Sequence, residues 1–89
     1  MLSKEVAVQN QVGLHARPAT FFIQKANNFK SSIWVSKDER KVNAKSLLGV
    51  LSLGIVKGTV ITITADGKDE QDAVDALVEL ISTNFLENE

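Results

Sequence analysis

The sequence predicts an α+β fold in which an antiparallel sheet carries helices on one face. Four stretches have the alternation or composition of strands, and three have the apolar spacing or end signals of helices, in the order β-α-β-β-α-β-α. These runs are short and include a hairpin, which favours an antiparallel sheet. A chain of 89 residues can build one modest core, so we expect one domain over residues 1–89.

The first two elements are a strand and a helix that differ in apolar period. Apolar residues at even positions predict a strand at residues 2–8. A helix is predicted to begin near residues 15–18, because Pro18 is tolerated in a first turn and a helical apolar face follows it. The sequence NNFK at residues 27–30 ends this helix. Its apolar face consists of Ala19, Phe22, Ile23, Ala26 and Phe29.

A hairpin and a short helix come next. Residues 32–36 and 40–44 are predicted strands, and the tight polar connection between them indicates a hairpin. Ser46 before an apolar run and Gly54 after it are helix start and stop signals, so a helix is predicted at residues 47–53.

The chain ends with a strand and a helix. Residues 59–65 are rich in β-branched side chains and predict a strand, with Thr62 and Thr64 on a solvent-facing side. Asp69 is predicted to cap the last helix, and acidic residues crowd the first turn as the helix dipole favours. The buried stripe of this helix is predicted to be Val74, Leu77, Val78, Ile81 and Phe85.

Composition excludes several classes of function. The net charge is -1 and the isoelectric point is about 5.8, so a direct nucleic-acid surface is not expected. There is no cysteine and only one histidine, which argues against metal sites. No apolar run reaches transmembrane length, and residues 1–15 do not resemble a signal peptide. We therefore expect a cytoplasmic protein without membrane insertion, metal or cofactor.

His15, the only histidine, lies where the first helix is predicted to begin. Free backbone N–H groups and the helix dipole make such a position an anion site, and the Arg17 guanidinium suits phosphate or carboxylate. The same positive field disfavours imidazolium, leaving a neutral nucleophile that could accept a phosphoryl group. The residues alone also allow a surface histidine that only caps the helix, and both interpretations stay open.

The predicted helix at residues 47–53 is too apolar for a helix that merely rests on a sheet. Its apolar arc exceeds the stripe that such packing needs, so part of Leu47, Leu48 and Leu51 could form a docking patch. Deep burial of a short helix explains the same pattern equally well. Ser46 is an ordinary N-cap residue, and a phosphate there would be tolerated at a helix N-terminus.

Two segments closely resemble the HPr family, the histidine-containing phosphocarrier proteins of the bacterial phosphoenolpyruvate:sugar phosphotransferase system. They are GLHARPA around His15 and KSLLGVLSLGI around Ser46. The resemblance extends over the whole chain in length and element order. It implies an open-faced β-sandwich, a four-stranded antiparallel sheet with three helices on one face. It also implies a phosphoryl carrier, which is not an enzyme in the turnover sense because each half-reaction leaves it covalently changed.

The resemblance also implies roles for individual residues. His15 would be phosphorylated on its δ nitrogen by enzyme I and would pass the phosphoryl group to enzyme IIA domains of sugar permeases. Arg17 and the backbone amides of Ala16 and Arg17 would hold the phosphate. Ser46 would be the regulatory site of HPr kinase/phosphorylase, and the phosphoserine form would serve a LacI-type catabolite repressor. The implied docking surface consists of Thr20, Gln24, Leu47, Leu48 and Leu51.

One position departs from the family pattern. Relatives usually have a small polar residue at position 12, whereas this chain has Val12. We expect this change to alter either the lifetime of the phosphohistidine or the rate of phosphoryl transfer. Two other functions remain to be weighed: a purely regulatory phosphoserine-dependent binding module, in which His15 is dispensable, and a small hydrolase of the acylphosphatase kind. Some regulatory relatives lack the histidine, which this chain retains. The family expectation is a monomer.

Overall fold

The computed structural model describes residues 1–83 and Phe85. Seven elements follow in the predicted order. They are β1 (Leu2–Ala7), α1 (Ala16–Ala26), β2 (Ser32–Lys37), β3 (Arg40–Asn43), α2 (Leu47–Leu51), β4 (Val60–Asp66) and α3 (Glu70–Ser82). None of the helices in the described ranges is long and apolar enough to cross a membrane.

The four strands form one antiparallel sheet with the spatial order β1-β4-β2-β3. β4 therefore lies in the interior of the sheet, between β1 and β2, although it is the last of these four strands in sequence. It pairs with β1 from Leu2↔Ala65 to Ala7↔Val60 and with β2 from Ser32↔Asp66 to Ser36↔Thr62. β2 and β3 form the predicted hairpin. The three helices cover one face, so the predicted open-faced sandwich is confirmed.

The core lies between the sheet and the helices. Inward-facing positions of β2 and β4 alternate with outward-facing ones, as strand geometry requires. Complete burial of a large apolar side chain contributes about 1.5–3 kcal/mol each to folding, which makes this layer the main source of stability. The fully buried side chains include Phe22 of α1, Val50 of α2, Leu77 and Ile81 of α3, and Val35, Ile61 and Ile63 of the sheet.

Thr64 does not face solvent as the alternation predicted. It is only 6% exposed, whereas Thr62 is partly exposed. Thr64 lies on the central strand, with Ser3 and Trp34 directly opposite on its two neighbours. Its hydroxyl is bonded to that of Ser3 at 2.9 Å, so burial leaves it paired. Period two gives the face of a residue but not whether its neighbours cover it.

α2 is shorter than predicted and ends at Leu51 rather than at residue 53. The N–H groups of Leu53 and Gly54 donate to carbonyls three residues back, which tightens the chain out of the α-helix. Gly54 then adopts φ of 62°, a conformation that favours glycine. The stop signal was correct, but the last turn before it is not α-helical.

Asp69 occupies the N-cap position of α3, but its side chain makes no capping bond. Its carboxylate instead accepts the N–H of Lys30 at 2.8 Å, the N–H of Ser31 at 3.0 Å, and the Ser31 hydroxyl. Glu70 accepts the Gly67 N–H at 3.1 Å. The predicted cap is therefore wrong in mechanism: Asp69 ties α3 to the start of β2.

Candidate functional site

His15 is the N-cap residue of α1. Its backbone is extended, with φ of -83° and ψ of -169°, and its carbonyl accepts the Ala19 N–H at 2.9 Å. The imidazole makes no capping hydrogen bond and is exposed. His15 therefore occupies the N-cap position through its backbone and not through its side chain. The ring is left available for chemistry at the positive end of the helix.

The chain reaches His15 through a tightly fixed segment. Leu14 is buried, and its N–H donates to the Ile55 carbonyl at 3.0 Å. Gly13 has φ of 63°, and a Cβ there would lie 2.7 Å from the Cα of Val56. Only glycine fits this close approach without a shift of the backbone. The sequence signal of Gly13 thus marks the point where two loops touch.

The first turn of α1 concentrates positive potential. Ala16 and Arg17 are its first residues, so their N–H groups have no partner within the helix. This turn contains no acidic residue. Within residues 1–83 and Phe85, no hydrogen bond or ion pair engages the side chains of His15 or Arg17. The arrangement can hold an anion beside the imidazole.

A cleft of about 580 Å³ adjoins the imidazole. Its walls are mostly apolar, and several of them, including Val12 and Phe21, are exposed to solvent. Phe21 and Phe85 are lining residues that the sequence analysis did not assign to the site. Phe21 lies outside the apolar stripe of α1 and is 38% exposed. An aromatic residue outside that stripe was the sequence signal that could have placed Phe21 in the site. The lining residues are Val12, His15, Ala16, Arg17, Pro18, Phe21 and Phe85.

Phe85 was predicted to extend the buried stripe of α3, but α3 ends at Ser82. Phe85 is buried, at 5% exposed, with φ of 61°. The stripe prediction therefore gave its burial correctly and its setting wrongly. Phe85 instead lies beyond the end of the helix and lines the His15 cleft.

The predicted docking residues lie on α1 and α2, which pack against each other. Leu48 is 80% exposed, while Leu47 and Leu51 are partly exposed and pack against the core. Gln24 is exposed, and the Thr20 hydroxyl donates to the Ala16 carbonyl at 2.8 Å. α2 is thus anchored in the core and presents one leucine outward, and a docking role for this leucine stays a prediction.

Ser46 is the N-cap of α2, and its hydroxyl accepts the Gly49 N–H at 3.1 Å. Basic side chains from the hairpin hold the other end. Arg40 donates to the Ser52 carbonyl at 2.6 Å, and the Lys37 ammonium donates to the Leu53 carbonyl at 3.0 Å. These contacts join residues distant in sequence, so no local pattern could predict them.

Residues 2–83 match the family model described as PTS HPr component phosphorylation site. The chain belongs to the HPr family. Phosphocarrier protein HPr from Neisseria meningitidis serogroup A is 45% identical over 100% of both chains. The HPr-like protein Crh from Halalkalibacterium halodurans is 49% identical over 91% of this chain and 96% of its own. The relatives of this chain thus include both a phosphocarrier protein HPr and an HPr-like protein Crh.

Solved HPr structures have the same fold. HPr from Thermoanaerobacter tengcongensis superposes with a TM-score of 0.96 at 48% identity, over 100% of both chains. A domain-swapped dimer of Crh from Bacillus subtilis matches with a TM-score of 0.76 at 43% identity, over 94% of this chain and 97% of that one. By sequence and by fold, the protein is therefore a member of the HPr-type phosphocarrier family. Among the described residues, no group of three or more His, Cys, Asp or Glu side chains is placed to hold a metal ion.

Proposed function

We propose that this HPr-family protein carries phosphoryl groups in the phosphoenolpyruvate-dependent sugar phosphotransferase system, with His15 as the acceptor. The observation that carries this proposal is the exposed, unengaged imidazole at the start of a helix whose first turn contains Arg17 and no acidic residue. In the first half-reaction an imidazole nitrogen attacks the phosphorus of phosphorylated enzyme I. The bond from phosphorus to the donor nitrogen breaks, and its electron pair returns to that nitrogen.

The protein's own groups stabilise the transferred phosphoryl group. The N–H groups of Ala16 and Arg17 and the Arg17 guanidinium would bind its oxygens, as at other helix N-termini. The same contacts serve the second half-reaction, in which an enzyme IIA domain receives the group. The protein is a carrier and not a turnover enzyme, since each half-reaction needs a partner. We place this cycle in the cytoplasm, within a single HPr domain.

Ser46 is proposed as a regulatory phosphorylation site for HPr kinase/phosphorylase, with ATP as donor. Its hydroxyl caps α2, two residues before Leu48, which is 80% exposed. A phosphate there adds about 1.5 to 2 negative charges beside the proposed docking surface. It would oppose partners with acidic surfaces and favour partners with basic ones, such as the proposed LacI-type repressor.

A second candidate function is a regulatory binding module without carrier activity. The 49% identity to an HPr-like protein Crh favours it. This hypothesis makes His15 dispensable and assigns the function to Ser46 and the α2 leucines. The retained His15, together with Arg17 beside it, supports the carrier instead. The hydrolase alternative lacks support, because the described residues offer no separate site built of arginine and asparagine.

The first experiment is the intact mass of the protein after incubation with phosphoenolpyruvate and a bacterial enzyme I. We expect one added phosphoryl group that is lost in mild acid and absent from His15→Ala. Circular dichroism checks that the variant is folded. Full labelling of His15→Ala would overturn the assignment, as would an unlabelled wild-type protein.

The regulatory proposal is tested with ATP and an HPr kinase. We expect one acid-stable phosphoryl group, absent from Ser46→Ala and present in Ser52→Ala. Ser52 is a matched control because it lies at the other end of α2. Labelling at Ser46 without any at His15 would favour the regulatory module over the carrier.

A further inference from the structure

Asn10 is a buried polar side chain in the loop that leads to His15, and neither the sequence pattern nor the proposed function gives it a role. It is 3% exposed. Its side-chain amide donates to the Gly13 carbonyl at 2.8 Å, and the Gly13 N–H donates to the Asn10 carbonyl at 3.2 Å. These two bonds close residues 10–13 into a turn.

The turn fixes the peptide unit between Gly13 and Leu14 from both sides. Its carbonyl is held by Asn10, and its N–H donates to the Ile55 carbonyl at 3.0 Å. A peptide unit is planar, so two bonds on opposite edges fix its orientation. His15 is the next residue, and its extended backbone starts α1. The Asn10 amide therefore acts one peptide away from the phosphoryl acceptor.

The side-chain oxygen of Asn10 indicates that this residue does more than stabilise the fold. The Gly13 carbonyl only accepts, so the nitrogen of the amide must face it. The Asn10 Oδ1 is then buried without a partner in the described part of the chain. An unpaired buried acceptor is destabilising, so the side chain is poorly explained by stability alone. The hydrogen bond from its side-chain amide nitrogen to the Gly13 carbonyl is the contact that an asparagine supplies here.

We propose that Asn10 is a positioning residue for phosphoryl transfer at His15. By holding the Gly13–Leu14 peptide, it sets the direction in which the chain enters α1. It thereby sets the position of the imidazole relative to the first free N–H groups of the helix. The proposal rests on the proposed carrier function. In-line transfer depends on the placement of the reacting atoms, and small misplacements lower its rate strongly.

The test compares Asn10→Ala with Asn27→Ala as phosphoryl acceptors from enzyme I. Asn27 is a matched control, because its side-chain amide donates to the Ile23 carbonyl at 2.8 Å at the far end of the same helix. We expect Asn10→Ala to lower kcat on the order of tenfold. Its KM should stay unchanged, since the α2 docking surface is intact. Asn27→Ala should match the wild type in both constants.

NMR of the His15 ring supplies a readout that does not depend on turnover. Asn10→Ala should shift the ring resonances, and Asn27→Ala should not. Asn10→Ser, which keeps a donor, should recover part of kcat, and it takes over the test if Asn10→Ala does not fold. Wild-type kcat and ring resonances in the folded Asn10 variant would overturn the positioning role alone. An unlabelled wild-type protein would overturn the carrier function and this role with it.

Discussion

At the scale of single residues, Val12 is the departure whose consequence is most direct. It is 52% exposed and lines the cleft beside His15. We predict that Val12→Ser lengthens the lifetime of the phosphohistidine or speeds transfer, because a hydroxyl adds a donor where valine has none. The check is the half-life of the acid-labile phosphoryl group, followed by intact mass, together with the transfer rate to an enzyme IIA domain.

Val56→Ser is the matched control for this change. Val56 is similarly exposed, at 54%, but it does not line the cleft. The same hydroxyl there should leave lifetime and transfer unchanged. Equal effects of the two substitutions, or no effect of either, would show that the apolar residue at position 12 is harmless.

Individual residues also show where sequence reasoning stops. His15 at the start of α1 and Ser46 as the cap of α2 were predictable, because capping and helix-start signals are local. The side-chain contacts of Asp69 and Asn10 were not predicted. Asp69 bonds to a loop 38 and 39 positions away, and the bond from Asn10 to the nearby Gly13 carbonyl is marked by no helix-start signal or apolar period. Asn10 is 3% exposed although it lies in a loop, where side chains are usually exposed.

At the scale of elements, α2 combines an anchored and an exposed side. We predict that Leu48→Ala raises the KM for phosphorylation by enzyme I while changing the free energy of unfolding by less than about 0.5 kcal/mol. The reason is that Leu48 is 80% exposed, so its truncation removes contacts with a partner rather than with the core. Steady-state kinetics and urea unfolding measure the two effects.

Val60→Ala serves as the control for Leu48→Ala. Val60 is also an exposed apolar residue, but it lies on β4 with its side chain on the open face of the sheet, away from the helices. Its truncation should leave KM unchanged. A KM raised equally by both variants would contradict a docking surface confined to the helical face.

Asp69, at the N-terminus of α3, is expected to make the stability of the protein depend on pH in the acid range. The hydrogen bond from the Ser31 hydroxyl, followed by that from the Lys30 N–H, lowers the pKa of Asp69 below its ordinary 3.8. A carboxylate with a lowered folded pKa contributes stability above its unfolded pKa, and this is lost as pH falls through the folded value. We expect Asp69→Asn to be less stable than wild type at pH 7 and the difference to shrink below pH 3.8.

Urea midpoints measured from pH 7 down to pH 2 check this prediction. Asp75→Asn is a suitable control, because within residues 1–83 that carboxylate is bonded only to Gln71 on the same helix. A constant difference between wild type and Asp69→Asn across this range would show that the contribution of Asp69 does not depend on its charge.

Element order was predictable where periodicity was strong, and element ends were not. The apolar face of α1 and the alternation in β4 gave the type and facing of those elements. The end of α2 depends on a switch to shorter-range hydrogen bonds, and the burial of Thr64 depends on neighbouring strands. Both follow from tertiary packing, which a local pattern does not contain.

At the scale of the whole molecule, β1 and the amino group before it attach the start of the chain to the rest of the fold. It is an edge strand, paired with β4 through six residues. The amino group of Met1 lies 3.1 Å from the Glu70 carboxylate and 3.4 Å from that of Asp66. The Glu70 hydrogen bond is the main cause that raises the pKa of this amine above 8.0, so the ion pairs persist at neutral pH.

We therefore predict a monomer of 9.7 kDa at neutral pH, to be measured by light scattering after size-exclusion chromatography across a concentration series. The domain-swapped Crh relative and the exposed Leu48 define two ways in which this could be wrong. A dimer that dissociates on dilution and disappears in Leu48→Ala would place the interface on α2, where it would compete with partner docking. A slowly exchanging dimer that survives this substitution would instead indicate exchange of a segment between two chains.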